Sequence, residues 1–359
     1  MARLGDVLKV SSARSVPAAS KNWLLNLDMV QQQTGKVIDY QYVSPDELEG
    51  SIVSFDTSVV LYSKLRPNLN KVVVPEKDGY CTSEMLPLQP DASRLSREYL
   101  AWYLRSDSFV TWAVSKTSGA KMPRLGTKEL LFHSIPLPDL PTQRRIAATL
   151  DKVSEGIALC KQMLVDLDEL VKSQFVEMFG TVHNNVFQFA EGTLESISYG
   201  FFAGGDKPSD CTTERDEAHP YPVFANGYEN EGLQGYSAKC RVTQPAVTVS
   251  ARGTIGYCYI REAGFTPVVR LITIVPNNKV SPVFLKYAID TMDIKSSGTS
   301  QAQLTVPDFK RERIIVPPAD LQGQFAAFVS QADKSKFVVQ QQMAELETLK
   351  KSLMQKYFG

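Results

Sequence analysis

The sequence predicts an α+β protein with an internal repeat, built from two α/β globular domains and two long helices. Residues 118–180 and 297–359 align without a gap at an offset of 179, with 15 identical positions among 63. Both segments carry a heptad pattern, whereas the regions before them contain β-rich runs separated by Pro and Gly. Repetition on this scale indicates a duplicated structural unit.

The first globular domain is predicted to span residues 1–140. Within it, the apolar runs at 59–62 and 71–75 predict strands, and the periodic segment 98–114 predicts one helix. The three prolines of 135–141 exclude a helix there, because each removes a backbone donor and biases the preceding residue to extended geometry.

A first long helix is predicted over residues 141–180, beginning at about Thr142. Its apolar residues follow alternating steps of four and three, which is the spacing of a heptad seam that pairs with another helix. About 38 residues at roughly 1.5 Å each give a rod about 57 Å long. The seam residues proposed as subunit scaffold are Ile146, Leu150, Val153, Ile157, Leu164, Leu167 and Val171.

The second half repeats this order. Residues 181–318 are predicted as the second globular domain, with strands at 246–250, 255–260 and 268–275 and a helix at 282–292. Residues 319–359 are predicted as the C-terminal long helix, whose seam Lys336 and Lys350 interrupt. A single heptad stretch alone would favour a core helix, but two matched copies favour a helix pair. The second set of scaffold residues is Phe325, Val329, Val339, Met343, Leu346 and Leu353.

The charge balance, the cysteine and histidine content and the lack of long apolar runs limit the classes of protein to which the chain can belong. Lys plus Arg and Asp plus Glu both total 39, so any surface for nucleic acid must be local. The five cysteines lack C-x-x-C spacing and only three histidines occur, which predicts a reduced, metal-free protein. The N-terminus has no apolar signal region, and no run of about 18 apolar residues occurs. These features predict a cytoplasmic protein.

Several segments together resemble the specificity (S, HsdS) subunits of type I restriction-modification systems. The entries to the long helices, LPDLPTQRRIAATLDKV at 137–153 and VPPADLQGQFAAFVSQA at 316–332, are similar to the family pattern P-L-P-x-x-E-Q-x-x-I-A. Thr142 and Leu321 replace its usual Glu, and Phe325 replaces its usual Ile. Further similar segments are VVLYSKLRPNLNKVVV at 59–74, FFAGGDKPS at 201–209, YPVFANGYENEGLQGY at 221–236 and VTVSARGTIGY at 247–257.

The resemblance implies two target-recognition domains separated by an antiparallel coiled coil of the two long helices. Each domain would read one half of a bipartite, asymmetric double-stranded DNA site. Two methyltransferase (M) subunits would dock on the helices and methylate flipped adenines with S-adenosylmethionine, and restriction (R) subunits could join. The duplication agrees with this expectation, because a chain with an internal two-fold pseudo-symmetry matches the two-fold symmetric shape of duplex DNA. Two domains held apart by a rod of fixed length would read half-sites about one helical turn apart.

The sequence also predicts which chemistry is absent. An adenine methyltransferase needs an N/D-P-P-Y/F motif, but Pro317-Pro318 continues into Ala319-Asp320, and no G-x-x-x-x-G-K-[ST] loop occurs. His133, His183 and His219 lack an obvious nucleophile partner. We therefore predict no catalytic residue, no metal site and no cofactor in this chain.

Candidate DNA contacts lie where basic residues outnumber acids at strand connections. Residues 59–74 contain no acidic residue, and neither do residues 237–261. Two polar loops also precede the long helices in equivalent positions, at 116–124 and 295–303. Arginine pairs with guanine, asparagine and glutamine with adenine, and lysine neutralises phosphate. The candidates are Lys64, Arg66, Asn68, Asn70, Lys71, Lys121, Arg124, Lys239, Arg241, Arg252, Gln301 and Gln303.

Alternative interpretations remain open at this point. The candidate residues equally fit solvated turns, and Arg66 and Arg252 fit internal hydrogen bonds. The whole chain could also be a coiled-coil protein-binding adaptor without direct DNA readout, which the zero net charge favours, or a self-contained enzyme with an unusual motif.

Overall fold

The chain forms two compact units in a computed structural model that describes residues 1–11, 21–47, 52–181, 184–253, 255–292, 294 and 304–359. Unit 1 comprises Met1–Lys161 and Gln341–Gly359, and unit 2 comprises Gln162–Gln340. Each unit therefore combines one globular part with one segment from each long helix.

Unit 1 holds most of its strands in two four-stranded sheets. Its strands are β1 (Ala2–Arg3), β2 (Leu8–Val10), β3 (Asn22–Leu25), β4 (Gln41–Val43), β5 (Ile52–Phe55), β6 (Val60–Ser63), β7 (Val72–Val73), β8 (Gly79–Thr82), β9 (Met85–Pro90), β10 (Thr117–Ser118), β11 (Arg124–Leu125) and β12 (Ser134–Ile135). One sheet has the order β2-β9-β6-β7 with antiparallel neighbours. The other has the order β4-β3-β8-β5, in which β3 and β8 are parallel.

The helices of unit 1 differ from the prediction at one point. They are α1 (Arg97–Leu104), α2 (Asp107–Ser115), α3 (Thr127–Phe132) and the long α4 (Leu140–Phe179), whose second half lies in unit 2. The single helix predicted at 98–114 is wrong, because the chain ends one helix at Leu104 and starts another. Ser106 caps the second helix by accepting a hydrogen bond from the backbone N–H of Phe109 at 3.3 Å.

Unit 2 repeats the strand order of unit 1. Its elements are β13 (Ala190–Thr193), β14 (Ser198–Ala203), β15 (Tyr221–Phe224), β16 (Leu233–Ser237), β17 (Ala246–Val249), β18 (Cys258–Arg261), β19 (Thr266–Pro267), β20 (Ile272–Pro276), α5 (Pro282–Asp290), α6 (Val306–Lys310), β21 (Arg313–Val316) and the long α7 (Ala319–Phe358), which ends in unit 1. The order β14-β20-β17-β18 matches β2-β9-β6-β7. The parallel pair β15–β19 matches β3–β8, and β13–β21 matches β1–β12. The duplication therefore covers the globular parts as well as the helices.

Two predicted strands of unit 2 are shorter than expected. The strand predicted at 255–260 begins at Cys258, since residues 255–257 lie in the preceding turn. The strand predicted at 268–275 is wrong over its first half, because Val269 and Arg270 adopt left-handed conformations with φ of 50° and 60°. The backbone turns there, and the strand begins at Ile272.

Each long helix has 40 residues and starts close to its predicted position. In unit 1, Gly156 faces Leu346, and Ile146 shares the core with Phe358. In unit 2, Phe175 packs edge-on against Phe325 with ring centroids 5.3 Å apart. Residue numbers rise along one helix as they fall along the other, so the two helices pair antiparallel within each unit. This confirms the predicted α+β fold with its antiparallel helix pair.

Candidate nucleic-acid interface and helical scaffold

The two basic stretches predicted from sequence occupy equivalent loops of the two units. Residues 64–71 connect β6 to β7, and residues 250–257 connect the matching strands β17 and β18. Each loop is hydrogen-bonded to the segment that leads into a long helix. The backbone N–H of Leu125 donates to Lys64 O at 2.9 Å, and that of Leu304 donates to Ala251 O at 3.0 Å. Leu125 and Leu304 are an identical pair of the repeat.

In unit 1 this arrangement brings basic residues from two segments together. The backbone N–H of Arg66 donates to Pro123 O at 2.8 Å, which sets the 64–66 segment beside 121–124. Arg66 and Lys121 are exposed and Lys64 is half-buried. Arg124 lies in the same group, but its guanidinium forms an ion pair with Glu84 at 3.0 Å. That hydrogen-bonded pair raises the pKa of Arg124 and reduces its net contribution to a positive patch.

The turn after Arg66 separates outward-facing from inward-facing side chains. Asn68 is exposed, whereas Asn70 is only 6% exposed and donates from its side-chain amide to Arg105 O at 3.1 Å. Lys71 donates from Nζ to Leu27 O, and burial lowers its pKa. The geometry therefore favours internal roles for Asn70 and Lys71, and leaves Arg66 and Asn68 available to a partner.

In unit 2 the predicted basic residues lie on two neighbouring loops. Lys239 and Arg241 are exposed between β16 and β17, and Arg252 is exposed after β17. The guanidinium of Arg241 stacks over the Phe202 ring, with its Cζ 4.7 Å from the ring centroid. Gln301 and Gln303 lie outside the described residues.

Arg261, which belongs to the same basic stretch, has an internal role. Its side chain is 4% exposed and covers the Phe224 ring at 3.7 Å. It donates to the carboxylate of Glu231 at 2.8 Å and to Glu231 O at 2.5 Å. The buried guanidinium thus fixes the loop 225–232 in place. Sequence alone gave no signal for this, because an arginine in a basic stretch has the same pattern whether it is exposed or buried.

The predicted scaffold residues all lie within the helix pairs and are buried or half-buried. Those that are buried are Ile146, Leu150, Val153, Ile157, Val171, Phe325, Val329 and Val339. Those that are half-buried are Leu164, Leu167, Met343, Leu346 and Leu353.

The two lysines that interrupt the seam are each accommodated by a specific contact. Lys336 forms an ion pair with Asp168 of the facing helix at 2.6 Å in unit 2. In unit 1, Nζ of Lys350 lies 5.0 Å from the centroid of the Trp102 ring. A cation over the face of an indole ring is attracted by the ring quadrupole. These contacts explain why the seam tolerates two charges.

A buried glutamine joins each long helix to its globular part. Gln143 accepts from the backbone N–H of Ser96, and Gln322 accepts from that of Ser281, both at 2.8 Å. Each amide also donates to two backbone carbonyl oxygens nearby. Ser96 and Ser281 are the N-cap residues of α1 and α5. The same set of hydrogen bonds around one glutamine, which we call the glutamine joint, is therefore present in both units.

The two described histidines each contact neighbouring side chains of their own unit. No cluster of His, Cys, Asp and Glu in the part of the chain that is described has the composition of a metal site. The His133 ring lies tilted against Trp112 with ring centroids 3.7 Å apart and contacts the Tyr103 hydroxyl at 2.5 Å, and burial lowers the pKa of His133. His219 pairs with Asp216, and His183 lies outside the described residues. Among the described residues, no helix has the length and apolar composition of a membrane span.

Comparison with protein families gives a match over most of the chain. Residues 1–168 and 201–348 match the family described as type I restriction modification DNA specificity domain. The chain is 29% identical over 205 residues to a putative type I specificity subunit of Mycoplasma pneumoniae, covering 57% of this chain and 56% of that protein. It is 28% identical over 152 residues to the specificity subunit of the Escherichia coli type I restriction enzyme EcoDI, covering 42% and 34%. The matched part thus spans about half or less of these relatives.

Solved structures share the fold of the whole chain. One comes from a study of complex assembly and conformational transition of the type I R-M system, with a TM-score of 0.64, 19% identity, and coverage of 99% of this chain and 96% of that chain. The S subunit of a type I restriction-modification system from M. genitalium has a TM-score of 0.63 at 15% identity, covering 99% and 95%. At these identities the likeness establishes a common fold.

Proposed function

Because the chain belongs to the family of type I restriction modification DNA specificity domains, we propose that it is the DNA sequence-specificity subunit of a type I restriction-modification complex. In this proposal each globular part is a target-recognition domain that reads one half of a bipartite, asymmetric double-stranded DNA site. We propose domain limits of 1–140 and 181–318, with the long helices at 141–180 and 319–359 as the conserved regions.

The strongest support for this proposal is that the two units share a frame but differ in their loop side chains. The two units share their strand order and the glutamine joint, yet their equivalent loops carry different side chains. Both loops present an exposed arginine, Arg66 and Arg252, but unit 1 adds Asn68 where unit 2 adds Tyr257. Base readout depends on which donors and acceptors reach the groove, so the same frame with different loop residues supports two different half-sites.

The helix pairs supply the second part of the proposal. Two helices of 40 residues, with seams that stay buried or half-buried, form a stiff element suited to setting the spacer between half-sites. We propose that two M subunits dock on this scaffold, and that R subunits can join the assembly. The chain itself would be non-catalytic and cytoplasmic, with S-adenosylmethionine bound by the M subunits.

The proposal is tested by expressing this chain with its cognate M subunit and mapping methylated adenines in host DNA. We expect methylation at a single bipartite sequence with a fixed spacer, and no methylation by the chain alone. Methylation of unrelated sequences, or cofactor-dependent turnover by the isolated chain, would contradict the proposal. Binding of the M subunit without any salt-dependent affinity for duplex DNA would instead support a protein-binding adaptor.

A further inference from the structure

Three loops of unit 2 are joined at one edge of the domain by a single asparagine. Oδ1 of Asn226 accepts from the backbone N–H of Ala251 at 2.8 Å, and its Nδ2 donates to Val269 O at 2.6 Å. The backbone N–H of Gly227 also donates to Ser250 Oγ at 3.3 Å. Residues 225–232, 250–253, 255–257 and 268–271 therefore form one continuous surface, which we call the loop face.

The loop face concentrates unfavourable backbone conformations. Val269, Arg270, Asn230 and Glu231 all have φ between 46° and 60°, in the left-handed region. A β-branched residue such as valine is a genuine outlier there, and such a conformation is unfavourable unless the surrounding contacts impose it. Strain of this kind persists where surrounding contacts over-determine it, and it is concentrated at ligand-binding sites.

Hydrogen bonds on both sides hold this conformation. The backbone N–H groups of Val269 and Arg270 donate to Gly205 O at 2.8 Å and to Gly204 O at 3.1 Å. On the opposite side, the buried guanidinium of Arg261 holds Glu231. The turn that carries Arg270 is thus fixed before any partner binds.

The fixed loops display side chains suited to a nucleic acid. Tyr228 and Tyr257 are 55% and 48% exposed, with ring centroids 5.9 Å apart. Arg270 is exposed, and within the described residues its side chain makes no ion pair or hydrogen bond. Phosphate contacts tolerate flexible cations, whereas base readout needs a donor pair held in a defined geometry. The braced turn fixes the backbone from which Arg270 projects, and a base edge in contact with its planar guanidinium would supply the rest of that geometry on binding.

We infer that Arg270 is a specificity-determining residue of unit 2, whose guanidinium contacts a base edge in the half-site read by this unit. Tyr228 and Tyr257 pack against the same stretch of duplex beside it. This inference rests on the proposed function, and it adds Arg270 and Tyr228, which lie outside the basic stretches found in the sequence. Guanine is the expected base, because its N7 and O6 accept both hydrogen bonds of one guanidinium.

The test uses the complete complex of this chain with its M subunit and a set of duplexes in which each base pair of the site is changed in turn. Arg270→Gly removes the side chain and suits the left-handed backbone, and Arg270→Lys keeps the charge but loses the two-pronged donor. We expect both variants to lose about tenfold or more of the discrimination at one base pair of the unit 2 half-site, with the other positions unchanged. Tyr228→Ala should weaken binding about tenfold, and Tyr228→Phe should retain it.

Matched controls separate this effect from general damage. Tyr199→Ala and Arg311→Ala remove exposed side chains of the same types outside the loop face, and both should behave like the wild type. Wild-type discrimination by both Arg270 variants, or an equal loss at every position of the site, would overturn the inference. A wild-type complex that selects no bipartite site would instead refute the proposed function.

Discussion

Replacing the buried glutamine of unit 2 tests the joint between the long helix and the globular part. Gln322 is 3% exposed, and leucine has a similar volume without hydrogen-bonding atoms. Gln322→Leu therefore leaves the packing largely filled but removes the partners of three backbone groups: the N–H of Ser281 and the carbonyl oxygens of Lys279 and Pro317.

The expected loss follows from those three groups. A buried polar group left without a partner costs about 1–3 kcal/mol. Lys279 is exposed, so water can replace the lost amide at its carbonyl oxygen. We therefore take the lower value of about 1 kcal/mol for each of the three groups and expect the free energy of unfolding to fall by about 3 kcal/mol. For a unit of this size, about 3 kcal/mol corresponds to a decrease in Tm of roughly 6–12 °C.

Scanning calorimetry of the full chain measures this change. Gln324→Leu is the matched control, because Gln324 is exposed two residues further along the same helix. Gln143→Leu should destabilise unit 1 by a similar amount, since its three hydrogen bonds are equivalent. A Tm for Gln322→Leu within about 2 °C of the Gln324→Leu variant would refute the reasoning that the joint stabilises unit 2.

Three further predictions concern pH, salt and length. Burial lowers the pKa of His133, so the folded state favours the neutral imidazole and the unfolded chain binds the proton more readily. The stability of unit 1 should therefore fall as the pH drops below about 6.5, and urea titrations of His133→Gln should show a weaker decline; an unchanged decline would contradict this. Lys64→Gln and Arg66→Gln should each reduce the slope of log K against log salt by about one if they contact phosphate, whereas Lys128→Gln, an exposed control in unit 1, should leave it unchanged. Insertion of one heptad into each long helix should lengthen the recognised spacer by about 10 Å, or about three base pairs, and methylation mapping that finds the original spacer would rule out the helical ruler.

The long helices were predictable because their signals are local and periodic. Pro136 and Pro138 block a helix before α4, whereas Pro141 lies in the first turn of α4, where its missing N–H has no intrahelical partner to lose, so the exclusion of a helix up to residue 141 is wrong at its end. The heptad seam then identifies the buried face. The break between α1 and α2 had a weaker local signal, since Ser106 followed by Asp107 is a typical helix start. Apolar residues on both sides of Ser106 continue the helical pattern, so the pattern predicted a single helix.

The loop face was not predictable in the same way. Nothing in the sequence around Val269 indicates a left-handed turn, because valine disfavours that conformation and long-range hydrogen bonds impose it. Similarly, Arg261 and Arg252 belong to one basic stretch, but only three-dimensional contacts show that Arg261 is buried and Arg252 is exposed. Sequence patterns identified the correct loops, and the orientation of individual side chains required the structure.

The central claim is that one chain contains two independent readers of half-sites. Exchange of residues 1–140 for the corresponding domain of another family member, followed by methylation mapping with the same M subunit, tests it most directly. We predict that one half of the recognised sequence changes while the other half and the spacer stay the same. A change in both halves, or in neither, would contradict the account.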